Sequence, residues 1–387
     1  MCEVHSFPST MILGSTGSVG EQAIDVAKQH GIPVPALCAH KNYKRVAEQA
    51  RELAVSAVAM TDERAAAELR VLLADTPIRV YGGEAGLLEM IAEVPADFAV
   101  NAILGEAGLR PTLAVLGSGK NLALANKESL VVAGDLVMSE AKRRALSITP
   151  VDSEHSAIFQ ALRSGKSSEI KRLLLTASGG PFFGKKRTEL LNITVDDTLA
   201  HPTWQMGAKI TVDSATLMNK GFEVIEAAHL FGVPADKIEV LVHRESIIHS
   251  MVEYIDNSVI AQMSVPDMRL CVQYALTAPH RTEAVIPPLD LLTVGKLSFA
   301  APDTETFPLL SLAKHAFSLG GGVPAALNAA NEVAVAAFLA RRISFLAISD
   351  TVERVVSDMP HAAGAHTLEA ILDADREARE RALAQLT

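Results

Sequence analysis

The sequence predicts an α/β protein with a parallel sheet and crossover helices in its N-terminal part, a mixed α and β region in the middle and a helical C-terminal region. Three observations predict this order. From residue 10 to about 150, short apolar runs alternate with helical patterns. From there to about residue 276 the separations lengthen, and 309–387 is rich in Ala, Leu, Glu and Arg at helical spacing.

The N-terminal region contains the strongest repeated pattern. Two stretches, 44–53 and 62–73, place apolar residues at helical spacing beside Glu, Lys and Arg, and we interpret them as helices that cover a sheet. Buried parallel strands read as short continuous apolar runs. Such runs occupy 11–13, 54–59, 78–81, 98–104, 122–125 and 148–151.

The rest of the chain divides into three further segments. Residues 151–278 contain a strand-like run at 172–176 and predict a second domain, and 309–387 predict a small helical domain. The intervening segment, 279–308, cannot be helical throughout because proline interrupts helices, so we interpret it as a connector. Its prolines are Pro279, Pro287, Pro288, Pro302 and Pro308.

Composition excludes several classes of protein. The 387 residues are 49% hydrophobic and 21% charged, which is typical of a folded globular chain and not of a disordered one. The net charge of −10 argues against nucleic acid or an anionic membrane as a partner, and no apolar stretch reaches membrane-spanning length. Three widely spaced cysteines indicate reduced thiols, so we expect a cytoplasmic protein.

A glycine-rich loop follows the first apolar run. It reads GSTGSVG at 14–20, and a helical pattern begins directly after it. Glycines allow a backbone to turn sharply and approach a pyrophosphate, whose charge then meets the N-terminus of a helix. The loop therefore indicates dinucleotide binding and a Rossmann-like sheet, although its spacing alone also fits a structural turn.

The end of the second predicted strand suggests which dinucleotide is bound. An acidic residue is usual here for NAD, but the strand ends in His40, Lys41 and Asn42 without one. Lys41, aided by His40 or Arg45, would favour the 2′-phosphate of NADP. A solvated loop lysine remains the alternative.

Carboxylates occur together after the run at 148–151. Asp152 and Glu154 would share one face if the chain stayed extended there. Two carboxylates in one cleft repel each other, and Mg²⁺ or Mn²⁺ would offset this repulsion. An ordinary acidic surface pair is the alternative.

A second group of polar residues lies at 213–223. If 215–226 is helical, Asn219, Lys220 and Glu223 lie within one turn and can face a common ligand. The Ser-Gly-Gly sequence at 178–180 offers backbone N–H groups to a phosphate, and Trp204 with Met206 suggests a mobile lid. A solvated helix face, a chain reversal and a packing tryptophan are the respective alternatives.

The order and the amino-acid sequences of these motifs resemble those of the 1-deoxy-D-xylulose 5-phosphate reductoisomerase family along nearly the whole chain. The loop at 14–20 is one match. The others are NAILG (101–105), LANKESL (124–130), PVDSEH (150–155), SGGPF (178–182), HPTWQMG (201–207), VDSATLMNKGFE (212–223) and LNAANE (327–332). Three positions depart from the usual pattern: His40 replaces a glycine, and Arg244-Glu245 replaces Pro-Gln.

The resemblance implies roles for individual residues. The metal ligands would be Asp152, Glu154 and Glu223, and catalysis would use them together with Lys127, which would steady a negative oxygen. The substrate phosphate would bind Ser178, Ser214, Asn219 and Lys220, and the rest of the substrate would meet Ser153, Glu154, His201, Trp204, Glu223 and His249. NADPH would contact Thr16, Gly17, Ser18, Val19, His40, Lys41, Asn42, Asn126, Glu128 and Gly207.

The resemblance also implies an activity. It is the conversion of 1-deoxy-D-xylulose 5-phosphate to 2-C-methyl-D-erythritol 4-phosphate in non-mevalonate isoprenoid biosynthesis, with NADPH and Mg²⁺ or Mn²⁺, Co²⁺ being a further candidate. The carbon skeleton would rearrange by retro-aldol cleavage and re-addition or by a concerted shift, before hydride reduction. Segment 1–150 would bind NADPH, segment 151–278 would bind metal and substrate, and the protein would be a homodimer.

Two other interpretations of the residues remain open. One is a plain NADP-linked dehydrogenase in which Asp152 and Glu154 have acid-base or structural roles. The other is a non-catalytic module that senses a dinucleotide, with its carboxylates on the surface.

Overall fold

The computed structural model describes residues 7–200, 202–204 and 206–386. Contacts divide these residues into two compact units. The first contains the described residues up to Asn126, then Val137–Ser156 and Asp267–Pro287; the second contains Lys127–Leu136, Ala157–Pro266 and the chain from Pro288 onward. The four-segment division at 150, 278 and 308 stays a prediction.

The first unit is built on a seven-stranded parallel sheet with the strand order β4-β3-β2-β1-β5-β6-β7. Residues of β1, β2 and β3 are buried along their whole length, as expected when helices cover both faces of a parallel sheet. The predicted fold class is confirmed. The strands are β1 Thr10–Leu13, β2 Ala36–Ala39, β3 Ala57–Met60, β4 Arg79–Gly82, β5 Phe98–Asn101, β6 Asn121–Leu124 and β7 Ile148–Pro150.

Seven helices accompany this sheet along the chain, and an eighth, α11, follows much later. α6 and α7 each contain a boundary between the two units, whereas the others lie in the first unit. They are α1 Ser18–His30, α2 Tyr43–Leu53, α3 Glu63–Leu72, α4 Gly83–Glu93, α5 Leu109–Gly117, α6 Glu128–Arg144, α7 Ser153–Ala161 and α11 Arg269–Thr277.

One strand of the sheet begins later than predicted, and two prolines that precede β2 are compatible with its hydrogen bonding. The predicted strand at 54–59 starts too early, because Ala54 takes a left-handed conformation (φ 50°) that ends α2, and β3 begins only at Ala57. Pro33 and Pro35 lie before β2, so the ladder of β2 needs no N–H from either. Their carbonyls accept hydrogen bonds from Thr10 N (2.9 Å) and Ser56 N (2.9 Å).

The second unit contains a four-stranded mixed sheet with the order β11-β10-β8-β9. β8 pairs with β9 in parallel, and β10 is antiparallel to both β8 and β11. The predicted strand at 172–176 lies within β8. The strands are β8 Ile170–Ala177, β9 Ile238–Val242, β10 Ile248–Tyr254 and β11 Val259–Met263.

The helices of the second unit include the predicted C-terminal group. The expected single helix at 215–226 is wrong, because Leu217 is left-handed (φ 61°) and separates α9 from α10. None of the helices in the described residues combines the length and apolar character needed to cross a membrane. The helices are α8 Val195–Leu199, α9 Ala208–Ala215, α10 Met218–Phe231, α12 Leu291–Val294, α13 Leu309–Leu319, α14 Val323–Leu339, α15 Phe345–Ser357 and α16 Leu368–Gln385.

Candidate active site

The 14–20 loop joins β1 to α1 in the middle of the parallel sheet. β1 lies between β2 and β5, where the strand order reverses, and ligands bind beyond the carboxyl ends of strands at such a switch point. Backbone N–H groups of Gly14 and Ser15 both donate to Cys38 O (2.8 Å each), which fixes the loop to the end of β2. α1 begins after Gly17, and no side chain of the described residues caps it.

Glycine is required at two positions of this loop. A Cβ on Gly14 (φ +88°) would lie 2.6 Å from Ala102 O, and a Cβ on Gly20 would lie 2.2 Å from Gly14 O. Ser15 Oγ is buried and has no hydrogen-bond partner among the described residues. The tight backbone, the uncapped helix N-terminus and the unused hydroxyl fit a pyrophosphate.

The residues after β2 take different positions. His40 Nδ1 lies 2.8 Å from Thr61 Oγ1, and Asn42 Oδ1 accepts from Arg45 N (3.4 Å) at the start of α2. Lys41 is exposed. Arg45 is bound to Glu21 (2.7 and 2.8 Å) and also to Glu48, so its charge is largely offset and Lys41 is the better candidate cation of the two.

Three further residues are expected to contact NADPH, and each has a defined place in the structure. Asn126 is buried, and its amide donates to Ile103 O (2.7 Å) and Gly105 O (2.9 Å), which holds the segment after β5. Glu128 begins α6, and Gly207 is the N-cap of α9. Their contacts with NADPH stay predictions.

The acidic pair lies in the first unit, beyond β7. The expected extended backbone is wrong, because α7 begins at Ser153 and Glu154 lies in its first turn. Asp152 Oδ1 accepts from Glu154 N (3.3 Å) and lies 3.1 Å from His155 Nδ1, and Ser153 Oγ donates to Glu154 Oε2. A helix N-terminus favours negative charge, so this geometry keeps two carboxylates side by side.

Glu223 is the centre of a buried polar cluster in the second unit. Its carboxylate is 1% exposed and lies between the ammonium groups of Lys127 (3.1 Å) and Lys220. Asn219 donates to Glu223 Oε1 (2.6 Å) and accepts from Lys127 Nζ (2.8 Å). The prediction that Asn219, Lys220 and Glu223 share a turn therefore holds within α10, although the helix starts later than expected.

The 178–180 turn follows β8 beside this cluster. Lys220 Nζ donates to Thr176 O (2.6 Å), two residues before Ser178. A Cβ on Gly180 would lie 3.0 Å from Ser214 O, so the turn packs against the end of α9. Ser178 and Ser214, both half-buried, thus lie in one region with the first turn of α10, as a shared phosphate site requires.

Trp204 packs against a buried histidine. Its ring meets that of His249 edge to face, with centroids 6.1 Å apart. His249 is 4% exposed, its Nε2 lies 2.9 Å from Ser264 Oγ, and burial lowers its pKa to about 4. Met206 is half-buried, and closure of Trp204 and Met206 as a lid stays a prediction. His201 lies outside the described residues.

These arrangements match known proteins closely. A family model described as 1-deoxy-D-xylulose 5-phosphate reductoisomerase matches residues 10–134, and models of C-terminal domains of that enzyme match 148–231 and 263–381. The 1-deoxy-D-xylulose 5-phosphate reductoisomerase of Caldanaerobacter subterraneus is 50% identical over 96% of this chain and 97% of its own length. The chain belongs to the 1-deoxy-D-xylulose 5-phosphate reductoisomerase family.

Solved structures of reductoisomerases agree with this family assignment. The enzyme from Zymomonas mobilis in complex with NADPH is 40% identical, with a TM-score of 0.90 and 98% of each chain covered. A DOX-P reductoisomerase in complex with NADPH, fosmidomycin and magnesium is also 40% identical, with a TM-score of 0.93 and the same coverage.

A further sequence relative, the 1-deoxy-D-xylulose 5-phosphate reductoisomerase of Acetivibrio thermocellus, is 51% identical over 89% of this chain and 91% of its own length.

A buried charge network next to the predicted site was not anticipated from the sequence. Lys209 pairs with Glu128 and Asp213 (2.8 Å each), and Asn331 donates to Asp213 Oδ1 (2.8 Å). Burial alone would raise the pKa of Glu128, but Lys209 brings that pKa below its ordinary value. The i,i+4 spacing of Lys209 and Asp213, together with Asn331 in the matched 327–332 motif, were the available signals.

Proposed function

We propose that the chain catalyses the conversion of 1-deoxy-D-xylulose 5-phosphate to 2-C-methyl-D-erythritol 4-phosphate, a rearrangement of the carbon skeleton followed by hydride reduction. The observation that carries this proposal is the 50% identity to a named reductoisomerase over 96% of the chain. The reaction belongs to non-mevalonate isoprenoid precursor biosynthesis.

NADPH supplies the hydride. The 14–20 loop at the N-terminus of α1 binds its pyrophosphate, and Lys41 with His40 binds its 2′-phosphate. The exposure of Lys41 and the engagement of Arg45 by two carboxylates support this choice of cation. The other contacts are those of Thr16, Gly17, Ser18, Val19, Asn42, Asn126, Glu128 and Gly207.

A divalent ion, Mg²⁺ or alternatively Mn²⁺ or Co²⁺, is held by Asp152, Glu154 and Glu223. Carboxylate oxygens are the ligands that such hard cations prefer. The pairing of Asp152 with Glu154 in the first unit and the burial of the Glu223 carboxylate in the second support this assignment. When bound, the ion polarises neighbouring substrate oxygens as a Lewis acid.

The substrate phosphate binds Ser178, Ser214, Asn219 and Lys220. The proximity of the 178–180 turn to α9 and of Lys220 to the end of β8 supports a common site for these side chains. Phosphate binding remote from the reacting carbons gives binding energy that favours closure over the substrate.

The rest of the substrate is oriented by Ser153, His201, Trp204 and His249. Lys127 stabilises negative charge on a substrate oxygen, because Glu223 and Asn219 hold its ammonium group in one place. His249 acts as a neutral imidazole, since its pKa is about 4. Closure of Trp204 and Met206 over the bound substrate would exclude water from the reacting carbons.

The family resemblance also supports a homodimer, and the three widely spaced cysteines support a cytoplasmic location. The net charge of −10 is consistent with small anionic ligands that bind at local cations, and it disfavours nucleic acid and anionic membranes as partners. Analytical ultracentrifugation of the purified chain would test the dimer.

The experiment that tests the activity follows NADPH absorbance on addition of 1-deoxy-D-xylulose 5-phosphate to chelator-treated protein, with and without Mg²⁺ or Mn²⁺. We expect oxidation of NADPH that requires both the ketose phosphate and the metal, with 2-C-methyl-D-erythritol 4-phosphate identified by mass spectrometry. Activity that survives exhaustive chelation would favour a plain dehydrogenase. No oxidation with any ketose phosphate would favour a non-catalytic module.

A further inference from the structure

Arg244 lies in the loop between β9 and β10. Its Nη1 donates to two carbonyls of the 178–180 turn, those of Ser178 (3.1 Å) and Gly180 (2.6 Å). Its guanidinium also lies 5.2 Å from the centre of the Phe183 ring. One side chain therefore holds both ends of the turn and contacts Phe183, three residues beyond it.

The turn has an unusual backbone. Gly179 and Gly180 are both left-handed (φ +78° and +63°). A Cβ on Gly179 would lie 2.8 Å from Val242 Cγ1, at the end of β9, and a Cβ on Gly180 would lie 3.0 Å from Ser214 O. The turn is therefore closely packed against both residues. Two consecutive flexible residues lose much conformational entropy on ordering, and hydrogen bonds to their neighbours offset this cost.

The loop that carries Arg244 is fixed independently of its side chain. His243 N donates to Ala177 O (2.7 Å), and His243 Nε2 accepts from Ile247 N (3.2 Å) and Ile248 N (3.1 Å). Glu245 accepts from Ser298 Oγ (2.6 Å). Because the backbone is anchored in this way, a change at Arg244 affects the turn and leaves the loop in place.

The positive charge of Arg244 has a second effect on the turn. Carbonyl oxygens carry partial negative charge that repels a phosphate, and a guanidinium bound to two of them offsets this charge. The direction of the two peptide groups is fixed at the same time. Lysine has the charge of arginine but not its planar, multiple-donor geometry, so it reproduces the first effect better than the second.

We propose that Arg244 is a positioning residue that shapes the 178–180 turn for a phosphate group, and so sets the preference for a phosphorylated substrate without contacting that substrate. The inference rests on the proposed function of the turn as part of the phosphate site. It adds a residue that lies outside the ligand set implied by the family resemblance. Thr203 Oγ1 donates to Arg244 O (3.5 Å), which joins the same loop to the segment that contains Trp204.

The test compares Arg244→Gln and Arg244→Lys with a matched control, Arg172→Gln. Arg172 is a half-exposed arginine of β8 that pairs with Glu239 and Glu253. Isothermal titration measures binding of inorganic phosphate, and steady-state kinetics measures KM for the ketose phosphate and for NADPH. We expect Arg244→Gln to weaken phosphate binding and raise KM for the ketose phosphate by about 10-fold to 100-fold.

The control outcomes separate positioning from general damage. KM for NADPH should not change in any variant, Arg172→Gln should behave as the unaltered protein, and Arg244→Lys should lose about 3-fold to 10-fold in phosphate affinity. If Arg244→Gln does not fold, Arg244→Lys decides the question. Unaltered phosphate affinity in the folded variants, or no phosphate binding by the unaltered protein, would overturn the inference.

Failure of the proposed function gives a different result. Protein that binds phosphate in an Arg244-dependent way but does not oxidise NADPH with 1-deoxy-D-xylulose 5-phosphate would refute the activity and leave the role of Arg244 standing. A protein that turns over normally with Arg244→Gln would keep the activity and refute the role.

Discussion

Lys41 is an exposed lysine just beyond the carboxyl end of β2, and we propose that its charge sets the choice between NADPH and NADH. Changing Lys41 to Gln should raise KM for NADPH roughly 5-fold to 10-fold, because one charge-assisted contact with the 2′-phosphate is lost. KM for NADH should not change. Steady-state kinetics with both dinucleotides measures the effect.

A matched control lies one turn away. Lys44 is an exposed lysine in the first turn of α2, and Lys44→Gln removes the same charge from the same region. Equal effects of the two substitutions would show a general electrostatic influence and would contradict the assignment of Lys41.

His249 predicts a dependence of stability on pH. Burial lowers its pKa to about 4 from an ordinary 6.5, so between these values the unfolded chain binds a proton that the folded chain does not. Its contribution to stability is therefore fully present above about pH 6.5 and is lost as the pH falls towards 4, by up to about 3 kcal/mol. Urea unfolding across this pH range measures the free energy.

His249→Gln should make the free energy of unfolding fall less steeply between about pH 6.5 and about pH 4. The exposed His280 provides the control, since His280→Gln should keep the slope of the unaltered protein. The same slope in all three proteins would show that His249 titrates normally.

Single residues show what could be predicted from the sequence and what could not. Asn219, Lys220 and Glu223 were grouped correctly because helical spacing is a local property. The contacts of Lys209 with Glu128 and of Arg244 with the 178–180 turn join residues 81 and 66 or 64 positions apart. Nothing in local spacing specifies such pairs, because tertiary packing creates them.

At the scale of elements, the 14–20 loop depends on the lack of a side chain at Gly20. A Cβ there would lie 2.2 Å from Gly14 O and 2.7 Å from Ser15 Cα. Both are backbone atoms, so relieving the clash would require a shift of the main chain. Gly20→Ala should therefore lower the free energy of unfolding by about 1–3 kcal/mol and weaken NADPH binding. Urea unfolding and NADPH titration measure the two effects.

Gly117→Ala is the control for this substitution. Gly117 lies in α5, and its added Cβ would meet no described atom within 4 Å, so the change should be neutral or stabilising by about 0.5–1 kcal/mol. Equal stability of the Gly20 and Gly117 variants would mean that the loop tolerates a different backbone path.

The elements themselves were predicted with uneven success. Strands and covering helices of the first unit follow from the alternation of apolar runs and helical patterns, and they were confirmed. Two local errors share one cause, since a single left-handed residue ends or interrupts a helix where residue type gives little warning. Leu217 breaks 215–226 at φ 61°, and Ala54 ends α2 at φ 50°, where a strand was expected.

At the scale of the whole molecule, the two units are discontinuous in sequence. Residues 267–287 belong to the first unit although they follow most of the second. Composition and proline positions mark changes of pattern along the chain but do not reveal which distant segments pack together. Identity to the family over nearly the full length is therefore what links the separate polar clusters into one proposed catalytic site.

The central claim is that Asp152, Glu154 and Glu223 hold one divalent ion, and binding of Mn²⁺ measured by electron paramagnetic resonance tests it most directly. The account predicts one tightly bound Mn²⁺ per chain, with affinity reduced at least about 10-fold in each of Asp152→Asn, Glu154→Gln and Glu223→Gln. NADPH binding should persist in all three, and Glu239→Gln, at an exposed glutamate of β9, should bind Mn²⁺ normally. Unaltered Mn²⁺ affinity in Glu223→Gln would contradict the account.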